Sequence, residues 1–354
     1  VRRQALPLSV AGGALALLAA PLTSPATAAP LTISGWPEIT ARLSGSSLVW
    51  AATVTNRLRG FDYWATEVSR VRLGRSGPRG PAETPVAVRT QAGPLGPVAL
   101  STGPDGSFAL LARGQGFPPP VIWCCDARGL EVVMESDGRE TAPRALAAGV
   151  DGARVRMLLA TPGAVRLVSD DPLRLTDDPA ADRAKARPRV EAAFPGHPRD
   201  PLVVIAGRQA AWIDSTAPTE VRTGTLTDAG VVEGPPLRQP GTVVGLWIGA
   251  PSTVVAASRT AGGVEVARHD LPAGTRRVVF RGSRVPPLAA GGGVLAVADG
   301  RRVLAGRGAL AEVRRTSGAV AALATDGRRL AIFERLTGRR GARSTAVRLA
   351  RVAG

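Results

Sequence analysis

Cys124 and Cys125 are the only two cysteines of this 354-residue chain, and they are adjacent. In an oxidising compartment such a pair can close into a vicinal disulfide, a small ring that forces a tight turn. A second reading stands beside it. The run Val121–Cys125 has strand character, and a strand sends successive side chains to opposite faces. The turn residues Asp126–Gly129 favour the ring; the strand run favours two separate thiols. No His lies nearby in sequence, so the pair alone makes no metal site.

The two His residues, His197 and His269, are far apart in sequence. Either could serve as a general base beside a Ser and an Asp, but no spacing marks which Ser. No G-x-S-x-G, H-E-x-x-H, phosphate-loop or EF-hand pattern occurs. Asp170-Asp171 and Asp177-Asp178 flank Arg174. Paired carboxylates suit a divalent cation, yet so many nearby arginines make a solvated acidic loop the better reading. Phe61, Tyr63 and Trp64 form the densest aromatic cluster and are a candidate contact patch for a sugar ring or peptide, with core packing as the competing fate. Arg339 and Arg340 crown the basic run Arg335–Arg343 and are the candidate anion contact. No catalytic residue, metal ligand or cofactor is assigned.

The elements that must position these residues are short strands. Val320–Leu323, the turn Thr325-Asp326-Gly327 and Leu330–Phe333 make the clearest unit. Asp-Gly between two apolar runs is a hairpin signal, because Gly takes positive φ without a Cβ clash and Asp tolerates it. Similar units begin near residues 39, 97, 144, 202, 243, 287 and 320. That spacing suits four-stranded propeller blades. Gly74–Pro85 reads as loop, and Asp170–Pro201 as an excursion with a helical turn. Sustained helical periodicity is nearly absent. The last unit has three strands of its own, so Leu31–Trp36 is expected to supply its fourth. The competing assignment for that piece is a tail.

Apolar residues make up 44% of the chain and aromatics only 4%, so Val, Leu, Ala and Ile must fill the core. The 42 Gly and 30 Pro are spread along the chain, as tight turns between strands require. Residues 1–28 read as an export signal: Arg2 and Arg3, the apolar run Ala5–Ala20, and the small-x-small site Ala26-Thr27-Ala28. Retention as an anchor is the alternative. The formal net charge is +17, almost all from Arg. Dispersed Arg with one Lys and one Asn fits a compositional bias; attraction to polyanionic envelope polymers is the functional reading. Nucleic acid is not expected as a partner of an exported chain, and no transmembrane span is expected beyond the signal.

Gly103-Pro104-Asp105-Gly106 with Ser107–Leu111, and Thr325-Asp326-Gly327 with Arg328–Phe333, resemble the WD40-like β-propeller repeat of bacterial exported proteins, including the TolB type. Asp151-Gly152 is similar, and Asp299-Gly300 falls one hairpin later. The resemblance implies a binding scaffold in the cell envelope and carries no catalytic residue across. The expectation is therefore an all-β chain: a single monomeric propeller domain over residues 31–354, of about seven four-stranded blades. Its expected function is non-enzymatic binding of a protein or envelope polymer, outside the cytoplasm. The alternatives are a propeller-type glycan hydrolase or lyase, and an Arg-rich structural protein of the wall.

Overall fold

The structure is a computed structural model. It describes residues 31–354 apart from 59–60, 75–77, 91–95, 104–106, 114–120, 125–129, 135–143, 152–153, 162–163, 171–188, 251 and 353–354. The export-type segment, Cys125, Asp171, Asp177 and Asp178 therefore lie outside the described residues.

Seven antiparallel sheets form among the described residues. Their first strands are Glu38–Ser44, Gly96–Thr102, Arg144–Asp151, Pro198–Ala206, Thr242–Ala250, Leu288–Gly291 and Val320–Thr325. We number the blades 1 to 7 in that order. Each first strand packs beside the next, and the strand of blade 7 packs beside that of blade 1. The circle of sheets is closed, and the fold is a β-propeller, as the Asp-Gly turns suggested.

Burial explains why these segments fold this way. A blade is covered on both faces by its neighbours, so its second strand must be apolar on both sides. Thr253–Thr260 shows this: its first six residues are all buried. The first strand of blade 1 alternates instead. Ile39, Ala41 and Leu43 pack against blade 7, whereas Thr40, Arg42 and Ser44 keep partial exposure. Outer strands such as Thr275–Gly282 bury no residue completely.

Seven apolar clusters of described residues fill the seven interfaces. Between blades 7 and 1, Phe333 and Trp50 have ring centroids 6.1 Å apart. Between blades 3 and 4, Phe194 meets Trp212 edge-on at 4.7 Å, a geometry that suits the ring quadrupoles.

Leu31–Ser34 is the outer strand of blade 7, paired antiparallel with Ser344–Val347. An unpaired terminal strand would leave its backbone groups without partners, and this pairing satisfies them. Trp36 secures the join: its indole N–H donates to the Leu336 carbonyl at 3.0 Å, and the Arg343 guanidinium lies 4.7 Å from its ring centre. A second tie holds the connection into blade 7. The buried Glu334 carboxylate accepts from the Ser317 amide, the Ser317 hydroxyl at 2.7 Å, the Gly318 amide at 2.8 Å and Arg348 Nε at 2.6 Å. Burial alone would push that carboxyl up. The Ser317 hydroxyl, the Gly318 amide, Arg348 and the Ser317 amide outweigh it and hold the pKa at about 2.

Two expectations are corrected. Part of Gly74–Pro85, read as loop, belongs to the outer strand Pro78–Thr90 of blade 1. An edge strand has one hydrogen-bonded neighbour and tolerates the Pro and Gly that misled the reading. In the excursion Asp170–Pro201, Arg189–Ala193 is the outer strand of blade 3, while the rest of the segment expected to hold a helical turn lies outside the described residues. The one described helical element is the 3₁₀ turn Arg339–Gly341. No helix among the described residues is long and apolar enough to cross a membrane.

Candidate functional site

The first strands of all seven blades surround an axial channel of about 560 Å³. Each is the edge strand of its sheet, so it carries a row of backbone N–H and C=O groups not used by the sheet on that side. Side chains along the wall are mostly small, with Ala99, Ala147, Ala290 and Ala321 among them. Trp247 is the one aromatic residue among the described lining residues.

Two charged residues line the channel among those described, Arg42 and Asp326. They are in opposite states. The Asp326 carboxylate is saturated: one oxygen accepts from the amides of Arg328 at 2.9 Å and Arg329 at 2.7 Å. The other takes Arg329 Nε at 3.0 Å and Nη2 at 2.8 Å. Burial pushes this carboxyl up, but the two amides and the Arg329 guanidinium prevail and keep its pKa below the ordinary value. It is an occupied anion and a poor general base.

Arg42 is half-buried in the middle of the first strand of blade 1. Its Nη1 donates to the neighbouring Ala41 carbonyl at 3.0 Å, and no carboxylate among the described residues pairs with it. Burial lowers its pKa from the usual arginine value, yet a guanidinium remains cationic in a protein.

The residues singled out by sequence fall elsewhere. Phe61, Tyr63 and Trp64 lie on the third strand of blade 1, opposite Leu58, Asn56 and Thr55. Cys124 ends the third strand of blade 2, opposite Phe108 and Leu130. The vicinal bond falls outside the described residues with Cys125. Arg339 and Arg340 are exposed on the hairpin between the second and third strands of blade 7. Arg340 holds φ at 61°, a left-handed conformation unusual for a residue with a Cβ. These residues occupy three blades, and none is a described lining residue of the channel.

Neither His lines the channel. His197 is exposed, and its backbone amide donates to Asp214 at 3.2 Å. His269 is buried on the third strand of blade 5, with Gln239 Nε2 2.8 Å from its own Nε2. Because the amide nitrogen of Gln239 can only donate, the ring accepts there. Burial, reinforced by the charge of Arg276, drops the His269 pKa to about 4, so the ring is neutral at pH 7. Among the described residues no three His, Cys, Asp or Glu side chains are grouped to hold a metal ion. Arg42 escaped the sequence reading. Glu38–Ser44 carries two charges, Glu38 and Arg42, and residue types alone do not show that Arg42 lacks a carboxylate partner.

No protein-family model matches the sequence, and no curated protein matches it. Solved structures do share the fold. A puromycin hydrolase superposes with TM-score 0.50 at 15% identity, over 88% of this chain and 51% of that one. The acylaminoacyl peptidase of Pyrococcus horikoshii gives 0.52 at 8% identity, over 92% and 52%. The β-propeller domain of the Trilobed protease from Pyrococcus furiosus gives 0.51 at 8% identity, over 90% and 98%. The chain thus spans about half the length of the first two. These likenesses correct the leading functional expectation. A non-enzymatic scaffold follows from the repeat resemblance and the lack of a catalytic motif, but the same architecture occurs in a hydrolase and a peptidase. The propeller repeat dictates radial packing and leaves chemistry to the site, so a missing motif was no argument against an enzyme.

Proposed function

We propose that this chain is the substrate-admitting propeller of a hydrolytic enzyme acting on peptides, with the axial channel receiving the substrate in extended form. The observation that carries this is the channel wall: seven edge strands with small side chains and a row of backbone groups that the sheets do not use. An extended peptide has the complementary donors and acceptors and a narrow cross-section. The hydrolase and peptidase of about twice this length support the same reading. Among the described residues the channel wall offers no His to activate a nucleophile, so the bond-breaking groups belong to other parts of the protein or to a companion.

A glycan substrate is less well supported. Glycoside hydrolysis uses two carboxyl groups across the scissile bond. Asp326 is the sole described carboxylate of the wall, and Arg329 occupies it.

The setting proposed is extracytoplasmic. The segment 1–28 supports it, with its basic start, its apolar run and Ala26-Thr27-Ala28. Amino-terminal sequencing of the protein from its own cells should find Ala29 as the first residue.

The functional test is a digest. The full protein, purified from its own cells with any companions, is incubated with a defined peptide mixture and, separately, with oligosaccharides. Peptide fragments should accumulate, and Ala321→Trp, which fills the channel, should stop them. Cleavage of oligosaccharides alone, or peptide cleavage indifferent to the channel block, would overturn the reading.

A further inference from the structure

Arg42 lacks the carboxylate partner that several other arginines have, and Arg268, held by the carbonyls of Gly293 and Arg307, is a second half-buried arginine without one. Arg348 meets Glu334, Arg329 meets Asp326, Arg276 meets Glu265 and Arg70 meets Glu83. Each of those cations is neutralised by a carboxylate of its own blade. The guanidinium of Arg42 has only the carbonyl next to it in sequence, which occupies one of its five N–H donors. Arg42 also lines the cavity, and no other protein acceptor is described for its guanidinium. A charge withdrawn this far from bulk water without a counter-charge is costly, and an anion entering the cavity would offset that cost.

The position of Arg42 sets the shape of the ligand. Gly45 marks the first-to-second-strand turn of blade 1, at the same end of the channel as Gly207, Gly292 and Asp326. Arg42 lies three residues inward from Gly45, or roughly 10 Å along the strand. An anion reaching it must travel on a slim chain past small side chains and edge backbone. A bare ion would satisfy the charge but not the edges. The cavity volume lies within the range of pockets that hold small organic ligands.

We infer that Arg42 is a carboxylate-binding site within the channel, and that its ligand is the free C-terminal carboxylate of a short extended peptide. The guanidinium fork takes the two carboxylate oxygens side by side. The residues upstream of that carboxylate lie along the first strands and pair with edge N–H and C=O groups that the sheets do not use. The peptide part of this inference rests on the proposed function; the anion site rests on Arg42 and the cavity.

Titration calorimetry of the full chain with N-acetyl-trialanine, its C-terminal amide, acetate and inorganic phosphate separates the two. The free acid should bind at least tenfold more tightly than the amide. Arg42→Gln should erase that difference, and Arg42→Lys should keep part of it, because a point charge replaces the fork. Unchanged thermal unfolding of Arg42→Gln would establish that the variant is folded; if it unfolds, Arg42→Lys carries the comparison. Acetate or phosphate binding that depends on Arg42, without peptide binding, would uphold the anion site and overturn the peptide ligand. Equal affinity for acid and amide would overturn the anion site and leave peptide entry standing. No binding by any of the four probes overturns both.

Discussion

Arg329 of blade 7 donates a guanidinium N–H to the backbone carbonyl of Gly45 in blade 1, while its other donors hold Asp326 in its own turn. One side chain thereby joins the last Asp-Gly turn to the first hairpin of the ring. On the opposite flank the same turn meets blade 6. Gly327 holds φ at +90°, and a Cβ there would sit 2.4 Å from the Gly292 carbonyl oxygen.

Removing this tie should loosen the seam. Arg329→Ala leaves the Asp326 carboxylate with backbone partners only and strips the Gly45 carbonyl of its donor. A loss of about 2 kcal/mol is expected, read as a lower urea midpoint with little change in slope. A midpoint equal to that of the parent would show that the cross-blade bond contributes nothing.

Stability should fall on mild acidification because of His269. Its folded pKa of about 4 lies below the ordinary 6.5, so between those values the unfolded chain binds more protons. Stability therefore rises with pH across that window and drops as pH falls from about 6.5 to about 4, by roughly 3 kcal/mol in all. His269→Gln should flatten this limb of a plot of unfolding free energy against pH. A limb of unchanged slope in the variant would remove His269 from the account.

A separate acid limb belongs to Glu334. Its folded pKa, about 2 against an ordinary 4.5, means that its contribution is fully present above pH 4.5. It is lost as pH falls toward 2, again roughly 3 kcal/mol. Glu334→Gln should cost about 2–4 kcal/mol at neutral pH, since Arg348 loses its counter-charge and Ser317 and Gly318 a strong acceptor. Urea denaturation at pH 7 and pH 3 measures both effects; a variant as stable as the parent at pH 7 would refute the tie.

The strand join at Trp36 predicts a local effect. Trp36→Ala deletes one hydrogen bond and one cation–π contact, worth about 1–2 kcal/mol together. Amide hydrogen exchange should accelerate first at residues 32–34, before the inner strands of any blade. Uniform acceleration around the ring would point to a global loss instead.

The inner half of each blade was readable before coordinates, and the outer half was not. Units expected near residues 39, 97, 144, 202, 243, 287 and 320 have first strands opening at Glu38, Gly96, Arg144, Pro198, Thr242, Leu288 and Val320. Second strands are apolar because both faces are covered, first strands such as Glu38–Ser44 alternate between the blade interface and the channel, and tight turns punctuate both. Outer strands such as Pro78–Thr90 and Gly230–Glu233 have one sheet neighbour and more water, so their side chains are weakly constrained and their pattern is faint. The closing role of Leu31–Ser34 was legible from a count of strands. The site was not. Phe61, Tyr63 and Trp64 attracted notice by density, whereas Arg42 matters through the emptiness around it, and emptiness leaves no mark on a sequence.

Because blade 7 combines Leu31–Ser34 with strands ending at Arg351, its earliest piece waits for its latest. During synthesis some 300 residues must emerge before that first segment meets Ser344–Val347. Contacts of such long sequence separation are slow to form. Until that contact forms, blades assembled from the intervening chain would make an open arc with two bare flanks, surfaces that favour association.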